Sequence, residues 1–326
     1  MRNDFVLKGV LIAFGSFAAF SFSDASVKLI EGRIPPYESA FFGALLSLLA
    51  LPFLKKRTDR WLDTVRSVNR PLWLLRFVCS AIGAITSVTA FTHLSMAEAF
   101  SLIFLLPSFV TIMSVIFLKE EVGIRRWSAV ILGFIGVLVV LRPGFRELGI
   151  GHVAALVAGL AAAINIVIMR GIGPAEKSIS LFGAGSLGAL IICAGVMAPT
   201  FTMPGGNEWL LLLGYGILGA LGNVLLMYAT FYAPAAVVSP IQYSQMIWAI
   251  ILGYLIFGDG VDAPMLLGIG LIVGSGLITL VRERKRGVAM PPPVAPNTQA
   301  AVAISDDALT NPDDRNATSA APPAGS

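Results

Sequence analysis

The sequence predicts an all-α integral membrane protein with ten transmembrane helices in two inverted five-helix repeats. Three observations carry this expectation. Ten apolar stretches fill residues 6–281, near 6–27, 37–54, 72–92, 97–118, 127–141, 151–170, 180–199, 209–228, 235–257 and 264–281. A helix needs about 20 mostly apolar residues to cross hydrocarbon. The connecting loops also alternate in basic content. With the N-terminus inside, one face collects seventeen Lys and Arg, with Lys55, Lys56, Arg57, Arg60, Arg66 and Arg70 in its densest run, and the other only Lys28, Arg33, Arg142 and Arg146. Basic loops are retained in the cytoplasm, so this bias and an even span count place both termini inside. Finally, spans 4–5 and 9–10 share one order of features about 136 to 140 residues apart: small residues, a Pro, a long apolar run, an acidic exit, a Gly-rich helix and a basic end. Five spans per half invert the second copy, an architecture common among transporters.

Composition agrees. The chain is 56% hydrophobic and 13% charged, against about 25% charged in a soluble domain, and its mean hydropathy is +0.82. The net charge of +4 does not indicate nucleic-acid binding, because topogenic loops account for the basic residues.

Taken in order, span 1 follows Lys8 and could imitate a signal peptide. It is long and no A-x-A-like site follows, so it reads as the first helix. Spans 2 and 3 flank the basic 55–70 loop. Arg76 starts span 3 and is expected to snorkel to the interface, with binding of an anionic solute the alternative. Cys79 and Cys193, in spans 3 and 7, read as buried packing thiols. Span 4 opens at Glu98, just after Ser95-Met96-Ala97, and carries Pro107, with Glu120-Glu121 at its exit. Span 5 ends at Arg142. Span 6 holds Asn165 and the small pair Ala158-x-x-x-Ala162, span 8 holds Asn223, and span 10 holds Gly270-x-x-x-Gly274, spacings that permit close helix approach. Residues 287–326 are rich in Pro, Ala, Ser and Asp, and read as a disordered cytoplasmic tail, where the sequon Asn316-Ala317-Thr318 has no meaning. The domains expected are 1–142, 149–286 and that tail.

Intramembrane polar groups are functional candidates, since they are expensive in hydrocarbon. Asp24 and Lys28 share a helix face and read first as a local ion pair, second as Asp24 lining an outer vestibule. Glu98 reads as a first-turn acid favoured by the helix dipole, or as a proton carrier for which no relay partner stands out. His93 and His152 read as interfacial. In span 9, Ser239, Gln242, Tyr243 and Met246 share one face, with Gln245 at its edge and Trp248 nearby. These suit a neutral, planar, hydrogen-bonding solute, the alternative being hydrogen bonds between helices. Asn165 and Asn223 are further amides. Pro107 and Pro240 occupy matching places in the two repeats and are candidate hinges.

The segments SFSDASVKLI, GFIGVLVVLRPG, IQYSQMIWAIILGYLIFGD and GLIVGSGLITLVRER resemble the ten-span EamA-type branch of the drug/metabolite transporter superfamily, over residues 6–286. One departure is Gly258-Asp259, where the branch usually has Gly-Glu. The resemblance implies two inverted five-helix repeats moving small organic solutes across the inner membrane. It is nearest a bacterial subgroup with riboflavin and S-adenosylmethionine uptake proteins. Riboflavin uptake is the first expectation, with S-adenosylmethionine uptake or export of amino acids or drugs as alternatives. An intramembrane enzyme or a sensor subunit is the reading from a different class. No catalytic constellation, metal cluster or cofactor motif is present in the sequence. The expected partners are a small solute and membrane lipid, with homo-oligomerisation left open.

Overall fold

The computed structural model describes residues 2–30, 32–55, 59–119, 122–142, 148–172, 176–233 and 235–285. The expectations for Glu120-Glu121, Arg146 and the tail lie outside them. Every regular element among the described residues is helical. In order these are α1 Arg2–Lys28, α2 Pro36–Ser47, α3 Leu51–Leu54, α4 Arg70–His93, α5 Met96–Ile103, α6 Leu106–Leu118, α7 Ile124–Leu141, α8 Ile150–Ile172, α9 Ser178–Met197, α10 Gly206–Tyr232, α11 Ala235–Val238, α12 Ser244–Leu252 and α13 Ala263–Lys285. Eight helical stretches are long and apolar enough to cross a membrane; the fifth and tenth expected spans are shorter, at Arg126–Leu141 and Ala263–Thr279. Exposed large apolar residues such as Leu11, Leu74, Ile131, Leu210 and Leu255 run round the bundle, as lipid contact requires.

Local chemistry sets the helix ends. Asn69 Oδ1 accepts the Leu72 N–H at 3.3 Å ahead of α4, and Ser95 Oγ accepts the Glu98 N–H at 3.2 Å ahead of α5. Each satisfies one of the free donors of a first turn. Gly258, at φ 66°, closes span 9 in the left-handed region that glycine adopts without strain.

Spans 4 and 9 are both irregular. Pro107 has no N–H to offer the carbonyl four residues back, and span 4 breaks at Phe104 and Leu105 into α5 and α6. The freed Ile103 carbonyl faces Gly159 of α8, where a Cβ would stand 3.0 Å from it. Span 9 opens with the short α11, tightens to three residues per turn over Ser239–Tyr243, continues as α12 and ends in a wide turn, Gly253–Phe257.

The main packing pairs exchange with one another. α1 packs on α10 as α8 packs on α4; α4 packs on α9 as α10 packs on α2; α12 packs on α1 as α6 and α5 pack on α8. The pairs α2–α9, α5–α12 and α7–α13 map onto themselves. At the last crossing, a Cβ on Gly136 would lie 2.9 Å from the Gly268 carbonyl, and one on Gly268 2.8 Å from the Gly136 carbonyl. The close approach expected at Gly270 and Gly274 is not there. Both face open space, because α13 turns Gly268 and Gly276 inward. The pattern departs from exchange at α4, which also packs on α1 and α2.

At the Arg70 end of the bundle, the segment before α4 is tied to the start of α9. Lys177 Nζ donates to Asp63 at 2.5 Å and stands 3.8 Å from Asp59, while Glu176 accepts from Ser67 Oγ at 2.6 Å and the Val68 N–H at 2.9 Å. Its acids are thus committed within the clamp. The Lys177 hydrogen bond, then the Arg60 N–H, hold the Asp63 carboxyl below its ordinary range, and the Asp63 hydrogen bond raises Lys177. Asp63 therefore contributes stability above its unfolded pKa and loses it as pH falls through the lowered value. Lys177 contributes below its unfolded pKa and loses it as pH rises through the raised one. Both contributions are complete between the unfolded values, about pH 4 and about pH 10, and fade only beyond them. Asp63→Asn is expected to raise tryptic cleavage at the exposed Arg60 and Arg66 a fewfold, the modest effect of one half-exposed pair. Unchanged cleavage would mean that apolar packing alone holds the segment.

Candidate functional site

The candidate polar residues fall in three places instead of lining one face, with Asn223 apart from all three. At the Lys28 end, Asp24 is completely buried and neither carboxylate oxygen has a hydrogen-bond partner. The neighbouring Ser23 Oγ donates to the Tyr215 carbonyl at 2.6 Å, which fixes α1 against α10. Asp24 lies within electrostatic range of Tyr215. The expected Asp24–Lys28 pair does not form. Lys28 Nζ reaches Asp259 at 2.5 Å and lies 4.5 Å from the Phe257 ring centroid. Asp259 also accepts the Met96 N–H at 3.3 Å, so it caps α5 as well. Lys28 sits on the last residue of α1 and turns to this second, better-furnished partner, while the helix carries Asp24 inward.

Glu98, also near this end, is nearly buried and contacts His152 Nε2 at 3.2 Å. The Gly149 N–H donates to His152 Nδ1 at 3.0 Å, so in the neutral ring Nε2 carries the proton and donates to Glu98. Sequence reading found no partner for Glu98; the approach of α8 to α5 brings His152, near the start of its helix, against it. His93 is exposed and bonds its own helix at the Thr89 carbonyl. Sequence reading missed Glu38. It is completely buried in the first turn of α2, with Oε1 accepting the Thr202 N–H at 3.3 Å and Oε2 unpartnered. Its place at the start of a span, after Pro35-Pro36, was the available signal.

The second place is span 9. Tyr243 packs against Phe104 of span 4 with the rings tilted at 38° and centroids 5.5 Å apart, and its hydroxyl sits where a Cβ on Gly276 would be. Gln242 is buried. Gln245, read from the sequence as an edge residue, is completely buried with both amide atoms unpartnered. The tight opening turn causes the difference, since each residue in it advances about 120° instead of 100°. Trp248 lies between Phe14 and Phe22 of α1, at 5.6 and 5.9 Å, and its Nε1 is buried without a partner.

The third place is nearer the Arg70 end. Asn165 Nδ2 donates to Ser80 Oγ at 3.3 Å, and its backbone carbonyl accepts Arg76 Nη1 at 3.4 Å. Arg76 does not snorkel. It is completely buried and its Nε donates to the Leu181 carbonyl at 2.8 Å, because α8 and α9 present carbonyls closer than the interface. Asn223 stands apart and donates to the Gly219 carbonyl of its own helix at 3.0 Å. Pro107 and Pro240 lie at the breaks of spans 4 and 9. Cys79 and Cys193 are buried free thiols.

The described residues contain no group of three metal-ligating side chains. What the arrangement offers is a set of buried carboxylates at one end, amides and rings at mid-depth, and a guanidinium at the other end, all within an apolar bundle.

The chain is similar to known proteins. The profile of the EamA-like transporter family matches residues 7–142 and again 149–281. The chain is 26% identical over 271 residues to an S-adenosylmethionine uptake transporter of Rickettsia felis, covering 83% of this chain and 91% of that protein. It is 25% identical over 287 residues to the pseudopaline exporter CntI of Pseudomonas aeruginosa, covering 87% and 100%. A protein crystal structure superposes with a TM-score of 0.57 at 15% identity, covering 85% of this chain and 97% of that one, a likeness of fold.

Proposed function

Because the chain belongs to the EamA-like transporter family of membrane transporters, we propose that it is a secondary carrier for a small organic metabolite bearing a cationic group. Its ten helices form two inverted repeats, 1–142 and 149–286, in the inner membrane, with both termini cytoplasmic and the Lys28 end facing outward. The exchange of packing pairs between the first and last five spans supports the repeats, and the basic bias of the loops supports the orientation.

One observation carries the solute class: the Asp24 carboxyl, completely buried with neither oxygen partnered. An isolated carboxylate is costly there, so Asp24 is a place for a proton or for the cationic part of a solute. Glu38 and Glu98 are buried near the same end and add to it. Tyr243, Gln245, Gln242 and Trp248 then offer rings and amides to a planar, hydrogen-bonding moiety further along. The riboflavin expectation, drawn mostly from the family resemblance and in part from those amides and rings, has no support among the relatives named. S-adenosylmethionine combines a sulfonium, an amine and an adenine ring, and is the first solute to test.

The purified protein in proteoliposomes is expected to take up labelled S-adenosylmethionine in a saturable manner, inhibited by excess unlabelled solute. Uptake no faster than in empty vesicles, for this solute and for a panel of cationic metabolites, overturns the reading. Export is the second reading, favoured by the full-length similarity to the pseudopaline exporter; vesicles of the two orientations separate it from uptake.

A further inference from the structure

Arg76 is among the largest completely buried side chains of the described residues. Two of its nitrogens bond backbone carbonyls and Nη2 has no partner. Among the described residues, the acids of the segment before α4 and the start of α9 are engaged elsewhere: Asp59 and Asp63 with Lys177, Glu176 with Ser67 and Val68. Asn165, whose carbonyl Arg76 bonds, and Ser180, next to Leu181, also carry side-chain oxygens buried without partners, Oδ1 and Oγ. A buried cation with no counter-charge is expensive, and a guanidinium with a free nitrogen is shaped for a two-oxygen anion.

The place of this cluster in the fold sharpens the point. Asn165 lies roughly 140 residues from Asp24, Ser180 from Ser39, and Arg76 from Tyr215. Ser39 Oγ, like the Asp24 oxygens, is buried and unpartnered. Two of these pairs, Asp24 with Asn165 and Ser39 with Ser180, therefore carry unsatisfied polar groups on both helices, with a carboxyl at the Lys28 end and, bonded to the Asn165 carbonyl, the Arg76 guanidinium at the Arg70 end.

We propose that Arg76, with Asn165 and Ser180, is a binding site for the carboxylate of the transported solute, reached when α4 and α9 part at the Arg70 end. The solute is then a zwitterion of amino-acid type, with its cationic group read at Asp24 and its carboxylate at Arg76 at successive stages. This rests on the carrier reading.

The test uses matched probes on the purified full chain: S-adenosylmethionine against its decarboxylated form, and methionine against 3-(methylthio)propylamine. Affinity is read from ligand-induced shifts of the thermal unfolding midpoint. The carboxylated member of each pair is expected to bind wild type at least about tenfold more tightly, the scale of one charge-assisted hydrogen bond. Arg76→Gln should erase the preference, Arg76→Lys should keep part of it, and Ser180→Ala should reduce it. A purely structural Arg76 would lower the unfolding midpoint and leave the preference intact, which overturns the proposal. Equal binding of both members to wild type, or no binding of either carboxylated probe, overturns it without any variant, should Arg76→Gln fail to fold. Proteoliposome uptake of a solute without a carboxylate would then show that the carrier reading survives.

Discussion

Asp24→Asn is expected to lower transport by about a hundredfold or more while the protein accumulates in the membrane at its usual level. Asparagine keeps the shape of the side chain and removes only its charge and its proton. The wild-type carboxyl makes no hydrogen bond that the amide would lose, so the fold has no reason to suffer. Transport loses the counter-charge for a cationic solute, and one buried charged contact is worth about 3 kcal/mol, or roughly a hundredfold. Asp24→Glu keeps the charge on a longer stem and should retain a measurable fraction. Initial uptake rates at matched protein level, with thermal stability measured alongside, check this. Wild-type rates from Asp24→Asn would remove Asp24 from the solute path, and with it the argument for a cationic group.

The second large effect concerns folding. A Cβ on Gly188 of α9 would stand 2.1 Å from the Phe77 carbonyl oxygen and under 3.0 Å from the Phe77 carbonyl carbon and Cα. All three are backbone atoms of α4, so no side chain can swing away. Gly188→Ala must push the two helices apart or bend one of them. Overpacking costs about 3 kcal/mol at the upper end of its usual range. The damage is local to the helix pair that holds Arg76 against Leu181, so Gly188→Ala should also weaken discrimination between carboxylated and decarboxylated probes in whatever protein survives. Gly274→Ala is the control. That residue has no atom near its added methyl, and its thermal stability should stay within a few tenths of a kcal/mol. Equal stability of the two variants would show that α4 and α9 are not packed as closely as described.

The difference between those glycines marks how far sequence reading reaches. Both lie in apolar spans rich in small residues, and the spacing rule pointed to Gly270 and Gly274. Which glycine meets a neighbouring backbone depends on the rotation of each helix about its axis, and a weakly amphipathic, lipid-embedded helix carries little pattern to set that rotation. Span 9 shows the same limit. Its polar residues were plain, but its inward face was assigned on an unbroken 100° step, and the tight turn at Ser239–Tyr243 brought Gln245 inside. Asp24 and Lys28 were placed correctly on one helix face. Their pairing failed because a stronger partner for Lys28 arrived from a loop 231 residues away.

From its sequence alone, this chain was legible as a helical membrane protein with ten apolar stretches, a doubled plan and resemblance to a transporter family. Those properties follow from hydrocarbon thickness, which sets the length of apolar runs, and from the energetic cost of unpaired backbone and charge in lipid, which makes every departure conspicuous. The tertiary structure decided which conspicuous groups find partners. Lys28 is matched by Asp259 and Glu98 by His152, while Asp24, Gln245 and one nitrogen of Arg76 are left without any. That outcome depends on contacts between helices distant in the chain, formed at distances of 2 to 4 Å, a scale on which the spacing of residues along a single helix is silent.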